Sequence, residues 1–151
     1  MSLLIVFIPF HSFGNENPIS FSGNEIIGKS IKCELKKSKT DMNPFSIEKV
    51  LPPYYFYFEN SKTLIYYYPQ RIKDVLKILS TRLNFDEKKS QIDIWSIWNK
   101  DKRYVGSINK NYFIFITRKY KINKRKYYCR HLSSQKKIIE DFKKFIKKID
   151  P

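Results

Sequence analysis

The stretch PPYYFYFENSKTLIYYYP, residues 52–69, decides how the rest of the chain must fold. It holds two runs rich in aromatic and β-branched residues, Tyr54–Phe58 and Thr63–Tyr68. Glu59-Asn60-Ser61-Lys62 lies between them, and prolines close both ends. Such runs suit a pleated surface and Asn-Ser is a serviceable turn pair, so the stretch predicts a β-hairpin. A two-residue or a four-residue loop gives the same pairing sum, with Phe58 opposite Thr63 and Phe56 opposite Ile65. One face then carries Tyr54, Phe56, Phe58, Thr63, Ile65 and Tyr67; the other carries Tyr55, Tyr57, Leu64, Tyr66 and Tyr68. Glu59 opposite Lys62 adds a cross-strand charge pair at the turn. A hairpin so aromatic on both sides cannot stand alone in water. The remaining chain must cover at least one face.

That chain has 151 residues, 42% of them hydrophobic, enough for one folded domain with its own core. No run reaches the ~20 apolar residues of a membrane-spanning helix. There is no alanine, and Lys far outnumbers Arg. Ile, Phe, Tyr, Asn and Lys share AT-rich codons, so nucleotide bias explains part of this profile. It does not readily explain where the charge sits. Residues 101–151 hold 16 basic and 4 acidic side chains, a net of +12 out of the whole chain's +16. That asymmetry points to an anionic partner: nucleic acid, an acidic protein or an acidic surface.

Met1–Gly14 is a candidate signal peptide, leaving 15–151 as a single α+β domain. Leu3–Phe10 supplies an apolar core, and Ser12-Phe13-Gly14 puts small residues where a peptidase inspects them, although the amino-terminal region lacks Lys and Arg. The competing reading is a buried first strand. Ile26–Leu35 alternates as a strand, with Ile27, Ile31, Cys33 and Leu35 on one face. After the hairpin, Ile72, Val75, Leu76, Leu79 and Leu83 follow helical spacing, which predicts a helix near Gln70–Arg82 covering the sheet. Asn84–Ser90 reads as a loop. Four short strands follow, Gln91–Trp98, Arg103–Ile108, Tyr112–Arg118 and Lys126–Leu132, as in an antiparallel meander. Ser133 or Ser134 then caps a helix running to about Ile149. Its residues Ile138, Ile139, Phe142, Phe145, Ile146 and Ile149 fall within an arc of about 120°. Six lysines between Lys136 and Lys148 fall on the opposite arc. The expected fold is α+β: a single antiparallel sheet of hairpins and meander, covered by two amphipathic helices, the last at the C-terminus.

Thr117–Tyr128 (TRKYKINKRKYY) is the strongest binding candidate. Arg118, Lys119, Lys121, Lys124, Arg125 and Lys126 fall within nine residues, with Tyr120 as a stacking candidate. Cations that meet phosphates beside rings that stack on bases are the ingredients of single-strand binding. The bland alternative is a solvated turn in a lysine-biased protein. His131, beside Arg130 and on the same strand as Lys126 and Tyr128, is the one acid–base cluster that a small basic ribonuclease would use. A solvent-exposed strand histidine is the simpler reading. No phosphate loop, nucleophile elbow, HExxH or paired carboxylates are present, so the sequence supports no catalytic site. Two distant cysteines and two scattered histidines make no metal site and imply no cofactor. Cys33 and Cys129 are either buried free thiols or, in an oxidising compartment, a bond closing most of the domain.

The order Ile27-Gly28…Cys33, Gly106-Ser107-Ile108-Asn109-Lys110 and Tyr127-Tyr128-Cys129 resembles a loose pattern in small uncharacterised bacterial and phage proteins. Those carry a short leader and a cysteine near each end. The resemblance implies an exported, disulfide-closed, β-rich domain and no activity. Taken together, the expectation is a non-enzymatic, exported binding domain, periplasmic or secreted, that meets an anionic partner through its basic last third. The alternatives are an intracellular, cytoplasmic nucleic-acid-binding protein and a basic ribonuclease centred on His131.

Overall fold

A computed structural model describes residues 26–35, 52–119 and 123–151. The expected leader, Met1–Gly14, lies outside them. Among the described residues eight antiparallel strands are followed by one helix: β1 (Ser30–Leu35), β2 (Tyr54–Phe58), β3 (Thr63–Ile72), β4 (Val75–Glu87), β5 (Gln91–Trp98), β6 (Asp101–Asn109), β7 (Ile114–Lys119), β8 (Asn123–Leu132) and α1 (Gln135–Ile149). Each strand pairs with the next in sequence, and β8 pairs back onto β1 from Ser30↔Leu132 to Leu35↔Tyr127, closing a barrel. The expected open sheet under two helices is therefore corrected to a closed barrel with a single helix. The barrel's two ends are distinct. The near end carries the start of β1 and the β2–β3, β4–β5 and β6–β7 turns; the far end carries the β3–β4, β5–β6 and β7–β8 turns. Among the described residues no helix is long and apolar enough to cross a membrane.

The correction begins at residues 59–63. The backbone N–H groups of Glu59 and Asn60 both donate to Thr63 O, and Asn60 Oδ1 accepts from the N–H groups of Lys62 and Thr63. The loop is thus Asn60-Ser61-Lys62, three residues held by an asparagine side chain. An odd loop shifts the pairing sum by one, so Phe58 faces Leu64 and Phe56 faces Tyr66, not Thr63 and Ile65. One step of register moves a whole strand's side chains to the other face. Tyr54, Phe56, Phe58, Leu64 and Tyr66 now share the inside, while Tyr55, Tyr57, Ile65 and Tyr67 share the outside. Glu59 pairs with Arg82 of β4 in place of Lys62.

The expected helix near Gln70–Arg82 is instead the end of β3 and most of β4. Ile72 pairs with Val75 around a two-residue turn in which Lys73 and Asp74 both have positive φ, 48° and 62°. Two left-handed residues in succession match the twist of a hairpin, but this turn usually advertises itself with glycine or Asn-Gly. β4 also runs through the expected Asn84–Ser90 loop as far as Glu87, burying Phe85. On the amino-terminal side, β1 begins only at Ser30; Ile27 and Gly28, the latter at φ 77°, belong to the preceding turn.

Every strand sends apolar side chains inward: Ile31 and Cys33, Phe56 and Phe58, Leu64, Leu83 and Phe85, Ile92 and Ile94, Ile108, Phe115 and Tyr127. An eight-stranded barrel has an interior that side chains can just fill. Filling is by interlocked rings, Phe58 edge-on to Phe85 at 5.1 Å and Phe56 edge-on to Phe115 at 5.2 Å. Gly106 faces this interior from β6. A methyl group there would lie 2.5 Å from Ile116 O and 2.6 Å from the Phe115 ring. Backbone cannot give way as a flexible side chain would, so Gly106→Ala is expected to lose about 2–3 kcal/mol in urea unfolding. An unchanged midpoint would show that β6 and β7 are further apart.

The outer face of the aromatic hairpin is sealed by α1. Ser134 caps the helix by accepting from Lys137 N–H, and Lys147 and Lys148 stand in its last turn, where the helix dipole favours cations. Ile138 and Phe142 are fully buried against Tyr55 and Tyr67, with Tyr57, Ile65, Ile78, Leu132, Ile139, Phe145 and Ile146 packed around them. Both faces of residues 54–68 are covered, one by the barrel and one by the helix.

Candidate anion-binding face

The amphipathic stripe that seats α1 also dictates what α1 shows to water. Lys136, Lys137, Lys143, Lys144, Lys147 and Lys148 are all exposed, against only Glu140 and Asp141 in the same helix. Lys137 is paired with Glu140 at 3.1 Å; the other five have no ion pair among the described residues.

Strand β8 supplies the adjoining part of this wall. Its alternation turns Tyr127, Cys129 and His131 toward the barrel and Lys126, Tyr128 and Arg130 outward. Lys126 and Tyr128 are exposed. Cation, ring and cation therefore stand at alternate positions on one strip, about 13 Å from end to end. Arg130 joins strip and helix, lying 3.8 Å from Asp141 and 4.0 Å from Glu34.

Asp141 anchors the junction. Its Oδ2 accepts from the Lys32 ammonium at 2.7 Å and from the Tyr55 hydroxyl at 2.7 Å. Burial alone would raise its pKa, but the hydrogen bonds from Lys32 and Tyr55, with the charges of Lys32 and Arg130, win and hold it below the ordinary 3.8. Tyr55 responds oppositely: burial first, then the hydrogen bond to Asp141, pushes its phenol well up. A lowered native carboxyl adds stability that is fully present above its ordinary value and drains as pH falls through the native one. Asp141→Asn should therefore cost about 2 kcal/mol at pH 7 and progressively less as pH falls below 3.8, read from urea midpoints along a series of pH values. An equal loss along the whole series would remove charge from the explanation.

Lys32 and Arg130 are thus occupied by acids, whereas Lys126 and the helix lysines other than Lys137 face water without such partners among the described residues. No family model, curated protein or solved structure matches this chain.

The seven candidate binding residues divide accordingly. Lys126 sits on the exposed strip. Arg118 and Lys119 end β7 while Lys124 and Arg125 begin β8, with Thr117↔Arg125, Arg118↔Lys124 and Lys119↔Asn123 in register, so their backbone lies at the barrel's far end. Tyr120 and Lys121 lie outside the described residues. Tyr128 stands in the exposed position that suits a stacking ring, and strand alternation counted from buried Tyr127 would have found it.

His131 does not join Lys126, Tyr128 and Arg130. It lies across from Ile31, turned inward, and stacks on Phe113 with centroids 5.0 Å apart. Burial, and then the charge of Lys29, lowers its pKa. The expected solvent-exposed histidine is a half-buried one, and the acid–base grouping is not assembled. Cys33 and Cys129 face each other across β1 and β8 and are joined by a disulfide.

Proposed function

We propose that this protein is a non-enzymatic binding domain that meets an anionic partner through the wall formed by α1 and the outer face of β8, in an exported, oxidising setting. One observation carries it: five helix lysines and Lys126 share that wall without acidic partners among the described residues, while buried Lys32 and exposed Arg130 at its edge are already paired with Asp141 and Glu34. Concentrated unpaired cations raise the potential over one face and steer polyanions toward it. The disulfide supports the oxidising setting, because such bonds persist outside reducing cytosol.

A second reading, a single-stranded nucleic-acid binder using the same wall, is favoured by Tyr128 standing exposed between Lys126 and Arg130. Titration with a labelled single-stranded oligonucleotide and with a labelled polyglutamate separates the two. Both are expected to bind at low salt and to weaken steeply between about 50 and 200 mM. Loss of oligonucleotide affinity alone in Tyr128→Ala selects the nucleic-acid reading. Absence of binding to either polyanion rejects the cationic wall as a contact surface.

A further inference from the structure

Strands β4 and β5 pair only from Asn84↔Trp95 to Glu87↔Ile92. Toward the far end they part: β5 ends at Trp98, which in this register would reach only Thr81 of β4, and the register of β5 with β6 breaks where they part as well. Ile94 faces Gly106 but Trp95 faces Tyr104, so Val105 is an extra residue, and such a bulge bends and twists its hairpin. Pairing with β4 stops at that same Trp95. β4 nevertheless continues to Val75, paired on its other side with β3 throughout. The direction of its backbone groups follows from two bonds: Phe85 N–H donates to Lys62 O on the β3 side, and Lys88 N–H donates to Gln91 O on the β5 side. Alternation then turns the N–H and C=O groups of Leu76, Ile78, Ser80 and Arg82 toward the β5 side, where no strand among the described residues pairs with them. This is an open sheet edge about 20 Å long. Proline, a bulge or a short length usually blunts such an edge. None of these protects 76–82.

We infer that the open edge of β4 at Leu76–Arg82 accepts an extended, acidic segment of a partner protein as an added strand. Main-chain pairing supplies the contact in this mode, and neighbouring side chains choose the sequence. The flanks fit an alternating segment. Val75, Ile97 and Trp98 are 56%, 57% and 66% exposed on the two hairpins bordering the gap, and beside them the cations Lys73, Lys77, Lys100 and Arg103 outnumber the acids Asp74 and Asp101. Arg71 of β3 also bonds Asp150 at 3.4 Å, which brings the lysine-rich end of α1 to this hairpin. A second copy of the chain is the poorer occupant, because each copy carries a net +16. The sign of the partner's charge rests on the function proposed above; the edge itself does not.

The test uses the full chain and a fluorescein-labelled decapeptide of alternating Val and Glu. The expected result is saturable binding with slowed amide exchange at Leu76, Ile78, Ser80 and Arg82. Ser80→Pro, which removes one outward N–H without touching the β3 ladder, should weaken binding at least ~10-fold. The same peptide with alternate backbone amides N-methylated should fail against the unaltered protein, a control that does not depend on the variant's folding. Equal affinity for Ser80→Pro and for the methylated peptide, or unchanged exchange at those four amides, overturns the edge site and leaves the cationic wall standing. So does failure of the peptide where polyglutamate or the oligonucleotide binds. Failure of every polyanion defeats the function proposed above as well. Self-association that Ser80→Pro abolishes, without peptide binding, assigns the edge to a second copy and overturns the inference.

Discussion

Removing the disulfide by Cys33→Ala together with Cys129→Ala is expected to cost about 4 kcal/mol of unfolding free energy. The cysteines are 96 residues apart in sequence, so the bond closes a loop that takes in seven of the eight strand pairs. Cross-linking a loop of that length removes roughly 4–5 kcal/mol of chain entropy from the unfolded state. It also acts where the barrel is most vulnerable. β1–β8 is the pairing that joins the most distant strands, and it must be made after the longest loop closure. Urea unfolding of the native protein with and without reductant reads the effect. A lowered midpoint, with a slope that rises because the freed chain unfolds to a more open ensemble, is the expected outcome. Coincident curves for oxidised and reduced protein would mean that the bond contributes nothing to stability.

The second large effect is expected from Phe142→Ala. Phe142 is fully buried beneath α1, its ring centroid 4.7 Å from that of Tyr55. Truncating a buried phenylalanine costs about 3–5 kcal/mol through lost transfer energy and the cavity left behind. Here the loss has a second consequence. α1 is held to the barrel chiefly by one apolar stripe, with Asp141 adding its bonds to Lys32 and Tyr55, and its solvent side is a row of like charges that does little to keep an undocked helix folded. Helical circular dichroism should therefore fall before the β-signal on heating the variant, whereas the two should fall together in the parent. Lys144→Ala on the exposed side should change neither by more than about 0.5 kcal/mol. Equal losses in the two variants would show that the helix is not seated through Phe142.

The C-terminal helix was legible in the sequence because its period persists over four turns and Ser134 marks its start. The inside–outside pattern of the first hairpin was not, because it depends on whether the loop has an even or an odd number of residues. Glu59-Asn60-Ser61-Lys62 permits either; only the Asn60 side chain, accepting from two backbone N–H groups, makes it three. The false helix at Gln70–Arg82 has a related origin. A two-residue turn between two alternating strands brings Ile72 and Val75 three apart and lets Leu76, Leu79 and Leu83 complete a helical series. Lys73-Asp74 gives no glycine signal that the chain reverses. Barrel closure was hidden for a further reason. It rests on β1 meeting β8 across most of the chain, and no local pattern encodes so distant a pairing.

The candidate site was legible only in part. Charge counting located the cations in the last third but could not say which ones acids neutralise. Asp141, one carboxyl among the helix lysines, engages both Lys32 and Arg130. Lys32 comes from β1, more than a hundred residues earlier in sequence than Asp141. The grouping around His131 failed on period-two alternation: Lys126, Tyr128 and Arg130 share one face of β8, and His131 has the other.

The claim that position, and not total charge, makes the binding surface is tested most directly by two matched charge reversals. Lys143→Glu with Lys147→Glu alters the α1 wall; Lys62→Glu with Lys89→Glu makes the same change in net charge on the β2–β3 and β4–β5 turns at the near end. Polyglutamate affinity at low salt should fall by roughly two orders of magnitude in the first variant and by less than about threefold in the second. Equal losses in the two would mean that the protein attracts anions through its overall charge alone, and the cationic wall would have no claim to be a site.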